Sequence, residues 1–181
     1  MAINATIFKI DLQIADLDRH YYHDHALTIA RHPSETDERM MIRVLAFACN
    51  ANDLLAFGKG LSTEDEPDLW SKALTGDIER WIEVGQPDEK RIRRACGRSQ
   101  QVLVYTYGGH VVDDWWHQNQ KHLKQLNKLS VYQVPQDASQ ALADLVQRTM
   151  QLQCTIQDGE IMFTDGEETV QFSLQALKVM N

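Results

Sequence analysis

The sequence predicts a mixed α/β fold in one domain that spans residues 1–181. Segments with helical and strand periodicity alternate through the middle of the chain, which is typical of α/β proteins. Alternating apolar and polar residues near both ends predict additional antiparallel strands. The length fits a single domain, and hydrophobic residues make up 43% of the chain, so one core of ordinary size can form.

The first half of the chain predicts two strands, a helix and a strand pair. Residues 5–15 alternate between apolar and polar side chains, as a half-buried strand does, and Tyr21–Arg31 predicts a second strand. Ser34 stands where a helix N-cap belongs, because acids and then an apolar face follow it as far as residues 50–52. Two short strands are expected next, at 67–74 and 77–84.

Helices and strands alternate through the second half. Pro87 fits the first position of a helix, where its fixed φ and missing N–H are tolerated, and acids follow it. The dipeptides Asp158-Gly159 and Asp165-Gly166 favour tight hairpin turns between the last strands. The remaining predicted elements are strands at 101–107, 129–134, 151–157, 161–164 and 169–174 and helices at 111–126 and 136–150.

Composition and charge limit the classes of protein to which this chain can belong. No apolar run approaches the roughly 18 residues that span a bilayer, and the N-terminus lacks the pattern of a secretory signal. Three widely spaced cysteines without a CxxC pair predict reduced thiols, so we expect a cytoplasmic protein that does not bind membranes. The formal net charge of −8 opposes strong nonspecific binding to nucleic acid, although it permits a local basic patch.

The strand pair around Gly76 carries the most informative acids. If its turn is centred between Thr75 and Gly76, Asp68 faces Glu83 across the hairpin. A three-residue turn that ends on a left-handed Gly76 shifts the register by one, and Asp65 becomes the better partner of Glu83. Both registers are compatible with the sequence.

Facing carboxylates suit a divalent cation. Side chains at facing positions lie about 4.5–5.5 Å apart at Cβ, close enough for two carboxylates to share one ion. Hard oxygen ligands favour Mg²⁺ or Mn²⁺, and the cation removes the repulsion that otherwise raises one carboxyl pKa. The alternative is a pair of solvated acids on a polar strand face.

Several strings resemble the YaeQ family of small bacterial proteins, which is largely of unassigned function. They are RHPSETDERMM at 31–41, DEPDLW at 65–70, WIEVGQPDEKR at 81–91 and TIQDG at 155–159, and the similarity covers essentially the whole chain. The resemblance implies a restriction-endonuclease-like, PD-(D/E)XK nuclease-like fold. Such a fold has a mixed central β-sheet flanked by helices, here with extra antiparallel strands from both termini.

The resemblance also implies roles for individual residues. Glu38 becomes the acid from the helix before the hairpin, either Asp65 or Asp68 the first motif acid, and Glu83 the acid of the E-x-K element. Together these four are the candidate ligands of Mg²⁺ or Mn²⁺. Glu83 and Asp68 are then candidate catalytic residues.

The lysine of the E-x-K element is missing, because Gly85 stands two residues after Glu83. Gln86 comes next, but on an ideal strand its side chain points to the opposite face. A replacement cation could come from the following helix, where Lys90 is the best candidate and Arg91 the alternative. Lys90 and Gln86 therefore join the candidate catalytic residues.

The basic residues of that helix predict the partner. Lys90 and Arg94 share a helix face by their i,i+4 spacing, and with Arg91 they form a candidate nucleic-acid contact. The sequence therefore predicts a metal-dependent nuclease that hydrolyses phosphodiesters. The alternative is a catalytically inactive, nuclease-derived module that binds nucleic acid or protein.

Overall fold

The computed structural model describes residues 4–59 and 65–181, which form two β-sheets and four helices. The predicted mixed α/β class is confirmed. In chain order the elements are β1 (Thr6–Asp16), β2 (Tyr21–Arg31), α1 (Asp37–Asn50), β3 (Leu55–Phe57), β4 (Leu69–Lys72), β5 (Ile78–Val84), α2 (Glu89–Arg98), β6 (Ser99–Thr106), α3 (His110–Leu123), β7 (Leu129–Gln133), α4 (Gln136–Ala143), β8 (Thr149–Gln157), β9 (Glu160–Thr164), β10 (Thr169–Ser173) and β11 (Gln175–Lys178).

The first sheet joins the two ends of the chain. Its strand order is β10-β9-β8-β1-β2, with β1 antiparallel to β2 and parallel to β8. The predicted alternation of β1 is confirmed, because its apolar side chains Phe8, Ile10, Leu12 and Ile14 are buried. Strands β1, β2, β8, β9 and β10, from near the two ends of the chain, therefore form one sheet.

The second sheet carries the predicted acidic hairpin. Its order is β11-β7-β6-β5-β4-β3, in which β5, β6 and β7 run parallel and β3, β4 and β5 run antiparallel. The parallel strands are joined through α2 and α3, as crossover connections require. Glu83 lies near the end of β5, just before the chain leaves the sheet for α2.

Helix α1 is buried because it packs into the larger of two hydrophobic clusters, which contains residues of both sheets. Leu12 of the first sheet and Ile82 of the second belong to this cluster together with Leu45 of α1. A helix buried on most sides holds its polar side chains rigidly, and Arg43 is only 3% exposed. The smaller cluster lies among α2, α3 and strands β5–β7 and contains Trp81, Ile92 and Trp115.

Four predicted details of the elements are wrong. Thr36, not Ser34, caps α1, because its Oγ1 accepts from the Arg39 N–H. Asp88 caps α2, so the helix begins after Pro87. Helix α4 ends at Ala143, well before residue 150, and strand β11 was not expected.

No helix in residues 4–59 and 65–181 is long and apolar enough to span a membrane.

Candidate functional site

Both hairpin registers predicted from the sequence are present. Next to the turn, Lys72 pairs with Ile78, and Gly76 adopts a φ of +94° as the last residue of a three-residue turn. A bulge then shifts the pairing by one residue, and Trp70 faces Trp81. Continued to the strand end, the second register places Asp68, not Asp65, beside Glu83.

The Asp68 carboxylate is fixed from two sides. It is 6% exposed; its Oδ2 accepts from the Val84 N–H at 2.8 Å, and its Oδ1 accepts from Arg39 Nη2 at 2.9 Å. The first contact ties Asp68 to the end of β5, and the second ties it to α1. Both oxygens of this buried carboxylate therefore already have hydrogen-bond partners within the protein.

Arg39 joins the hairpin to a second buried acid. Its Nη1 donates to Glu35 at 2.5 Å, and its Nη2 lies 3.3 Å from the Val84 carbonyl oxygen as well as 2.9 Å from Asp68. Glu35 is also held by Arg43, through Nε at 3.0 Å and through Nη2. Arg39 therefore places a positive charge among the Asp68 and Val84 oxygens.

Glu83 carries the other buried carboxylate of the pair. It is 4% exposed, and its Oε1 accepts from the Trp81 indole Nε1–H at 2.8 Å and from Arg91 Nε at 2.8 Å. Burial, and then the nearby charge of Asp68, raise the pKa of Glu83 to about 7, although Arg91 and Trp81 act in the opposite direction. Near neutral pH, Glu83 is therefore present in both protonation states.

Gly85 differs from the motif lysine in backbone as well as in side chain. Its φ is +102°, a left-handed conformation that residues with a Cβ rarely adopt. A Cβ there would meet nothing within 4 Å, so the restriction comes from the backbone and not from crowding. The backbone conformation itself therefore disfavours a lysine at this position.

The remaining predicted site residues have separate environments. Gln86 donates its amide N–H to the Tyr107 carbonyl, whereas Lys90 is exposed and its neighbour Arg91 is the α2 side chain that reaches Glu83. Asp65 is exposed, and its backbone carbonyl accepts from Arg98.

Glu38 is half-buried in the first turn of α1. Burial raises the pKa of Tyr107, and the charge of Glu38 adds to this effect while Arg39 opposes it. Glu38 is therefore close enough to Tyr107 to influence it electrostatically.

The predicted metal site can be tested against the donor set. In the part of the chain that the structure describes, no three or more His, Cys, Asp or Glu side chains are grouped so that they could hold a metal ion. Asp68 and Glu83 come together, but Glu38 and Asp65 do not complete a ligand set with them. The two paired acids are already compensated by Arg39 and Arg91, so the residues present do not fit Mg²⁺ or Mn²⁺ as they stand.

Sequence reasoning missed the residues that neutralise the pair. Arg39 and Arg43 share one face of α1 by their four-residue spacing, and Glu35 stands just before the helix, so the three residues could have indicated an ion-paired row. The pairing of Arg39 with Asp68, 29 residues further along the chain, depends on how α1 packs against the hairpin.

Fold and site together define a mixed α/β protein whose hairpin acids are bridged by arginines. The family model described as "YaeQ protein" matches residues 1–174. The chain is 44% identical over 176 residues to "Uncharacterized protein YaeQ" of Salmonella typhi, with 97% of each chain covered, and 43% identical to that of Escherichia coli K12 over the same length and shares. The chain therefore belongs to the YaeQ family.

Solved structures agree with this assignment. The crystal structure of YaeQ protein from Xanthomonas axonopodis pv. citri matches with a TM-score of 0.94 and 45% identity, over 97% of this chain and 99% of that one. The structure of YaeQ protein from Pseudomonas syringae matches with a TM-score of 0.92 and 39% identity, over 97% of each chain. The fold is thus shared with these two YaeQ proteins, and the predicted family resemblance is confirmed.

Proposed function

We propose that this protein binds nucleic acid without hydrolysing it, as a nuclease-derived module with a restriction-endonuclease-like, PD-(D/E)XK core. The arrangement of α1 before the β4–β5 hairpin supports the assignment of the core. So does the mixed sheet with acids at the end of β5. The fold by itself does not supply an activity, so the proposal depends on the site.

The pairing of each hairpin acid with an arginine carries this proposal. Arg39 contacts Asp68 and Arg91 contacts Glu83, and both carboxylates are nearly inaccessible to solvent. A hydrolytic site needs acids free to bind a cation and a base near the attacking water. Here the acids serve as anchors that hold α1 and α2 to the hairpin.

Helix α2 supplies the proposed contact with phosphates. It follows directly after the hairpin, and Lys90, Arg94 and Arg98 are exposed on it. Exposed cations spaced along one helix can neutralise successive phosphates, and binding of this kind weakens as the salt concentration rises. Because the overall charge of the chain is −8, the contact with nucleic acid is confined to this basic helix.

The proposal is tested by fluorescence anisotropy with a labelled oligonucleotide across a range of salt concentrations. The double variant Lys90→Met, Arg94→Met should weaken binding and reduce the salt slope by about two. Lys9→Met is the control, because Lys9 is also an exposed lysine but lies on β1 of the other sheet. Binding that is undetectable, or that both variants reduce equally, would overturn the proposal.

A metal-dependent nuclease is the second candidate, and the pKa of Glu83 near 7 favours it. A buried carboxylate with a raised pKa beside another acid is typical of functional sites. In such an enzyme Glu83 and Asp68 would hold Mg²⁺ or Mn²⁺, which supplies Lewis-acid chemistry for hydrolysis, and Arg91 and Arg39 would first have to release these acids. Cleavage that requires Mn²⁺ and is lost in both Glu83→Gln and Asp68→Asn would establish this candidate.

A further inference from the structure

One face of the β4–β5 hairpin carries a row of side chains, of which Glu83, Trp81 and Trp70 each contact a cationic side chain. Glu83 and Trp81 are two residues apart on β5, so they share a face, and Trp81 faces Trp70 across the hairpin. The Trp70 and Trp81 rings meet edge to face, with centroids 5.9 Å apart and planes at 85°. The row continues to Lys72, two residues beyond Trp70 on β4.

The cations of the row come from two elements. Arg91 and Arg98 lie seven residues apart on α2, which places them on one face, about two turns from each other. Arg91 Nε contacts Glu83 at 2.8 Å, and the Arg98 guanidinium lies 5.1 Å from the centroid of the Trp81 ring. Lys72 Nζ lies 3.8 Å from the centroid of Trp70.

The two tryptophans differ in accessibility. Trp81 is 2% exposed and belongs to the smaller hydrophobic cluster, so its ring is not available to a ligand. Trp70 is half-buried, packs against that cluster from outside, and lies next to the flexible side chain of Lys72. A lysine covering an aromatic face is held by about 0.5–1 kcal/mol at an exposed site, so a ligand can displace it.

We propose that Trp70 stacks on an unpaired base of single-stranded nucleic acid, while Lys72 and Arg98 contact the neighbouring phosphates. This inference rests on the proposed function and specifies its ligand. Base stacking on an aromatic ring beside cations that follow the backbone is how proteins bind single strands with little sequence preference. A duplex keeps its bases stacked on one another and offers Trp70 no free base face.

The geometry orders the contacts along the strand. The base lies over Trp70, between Lys72 and Trp81 in the row, and the backbone runs past Arg98 towards the other exposed cations of α2. Asp68 and Glu83 remain in their ion pairs with Arg39 and Arg91, so neither of these two carboxylates has to approach a phosphate as an unpaired charge. The proposed site is therefore selective for single strands without using the acids.

The experiment compares dissociation constants for a labelled oligo(dT) strand and for a duplex of equal length. We expect the protein to bind the single strand more tightly, and Trp70→Leu to weaken that binding about tenfold, because one stacked base is lost. Trp116→Leu is the matched control, since Trp116 is also half-buried against the same cluster but lies on α3. Its binding should stay within about twofold of the wild type.

Two further measurements do not depend on the folding of Trp70→Leu. In the wild-type protein, oligo(dT) should quench the intrinsic tryptophan fluorescence, and the duplex should quench it much less. Lys72→Met should weaken the binding of oligo(dT) more than Lys121→Met does, where Lys121 is an exposed lysine on α3. Equal affinity for single strand and duplex would overturn this inference, and so would an unchanged affinity in Trp70→Leu. If the Lys90→Met, Arg94→Met double variant still binds more weakly than the wild type, the proposed function survives either result. Absence of binding to either ligand overturns the proposed function as well.

Discussion

Arg39 Nη2 lies 2.9 Å from Asp68 Oδ1 and connects the first turn of α1 to the residue before β4. The arginine is 17% exposed and the aspartate 6%, so the ion pair is largely shielded from water. Because Arg39 also holds Glu35, its positive charge compensates two buried acids at once. The consequences of this arrangement can be measured.

Removal of the Arg39 charge should strongly destabilise the protein. In Arg39→Met, Asp68 and Glu35 lose a shared cation, and breaking a buried pair costs about 3–5 kcal/mol. Urea unfolding of this variant should be compared with that of Arg93→Met. Arg93 also pairs with a glutamate four residues away, but it is 60% exposed, so its loss should cost less than about 1 kcal/mol. Equal effects of both variants would contradict a buried bridging role.

The stability of the protein should depend on pH through Glu83. In the folded state Glu83 keeps its proton up to a pKa of about 7, whereas in the unfolded chain the group loses it near 4.5. Between these values the folded state binds more protons, so the free energy of unfolding falls as pH rises, by roughly 3–4 kcal/mol from this group, and levels off above pH 7.

Glu83→Gln should remove this part of the pH dependence. Chemical denaturation at pH 5, 6, 7 and 8 should give a flatter profile for Glu83→Gln than for the wild type. Glu79→Gln, which changes an exposed acid on the same strand, should retain the wild-type slope. If the wild type and Glu83→Gln have parallel profiles, Glu83 does not titrate in this range.

Two glycines should respond to alanine with opposite signs. Gly85→Ala forces a Cβ into a φ of +102° and should destabilise the protein by about 1–3 kcal/mol. Gly97 lies in α2 with open space around it and no positive φ, so Gly97→Ala should be neutral or stabilise by up to about 1 kcal/mol. Thermal unfolding measures both, and a stabilising Gly85→Ala would exclude the backbone explanation for the missing lysine.

The cysteines should be unreactive in the folded protein. Burial raises the pKa of Cys49 to about 12 and also raises the pKa of Cys96 and Cys154. Since the thiolate is the reactive form, a thiol reagent at pH 8 should label the protein slowly until denaturant is added. Rapid labelling of one thiol in the native state would show that it is accessible.

The hairpin could be predicted well because its signals are local. The left-handed turn at Gly76 and the facing Trp70–Trp81 pair each follow from a few adjacent residues. What the sequence left open was which register applied, and a bulge within the strands allows both. No local pattern required that bulge.

The partners of the acids could not be predicted in the same way. Arg39 reaches Asp68 only because α1 is packed between residues of both sheets, which is a property of the tertiary fold. The sequence favours Lys90 because Pro87 fits the helix start and a lysine has a long flexible stem, but α2 begins at Glu89, and Arg91 is the side chain that reaches Glu83. A shift in a helix start turns a different side chain towards the sheet.

Binding without hydrolysis is tested most directly by a single-turnover assay with protein in excess over an end-labelled single strand. We predict that the strand binds in EDTA, binds equally well when Mn²⁺ replaces EDTA, and remains intact on a denaturing gel in both conditions. Cleavage that appears only with Mn²⁺ and disappears in Glu83→Gln and Asp68→Asn would contradict the account, because it would show that the arginine-bridged acids are a working metal site.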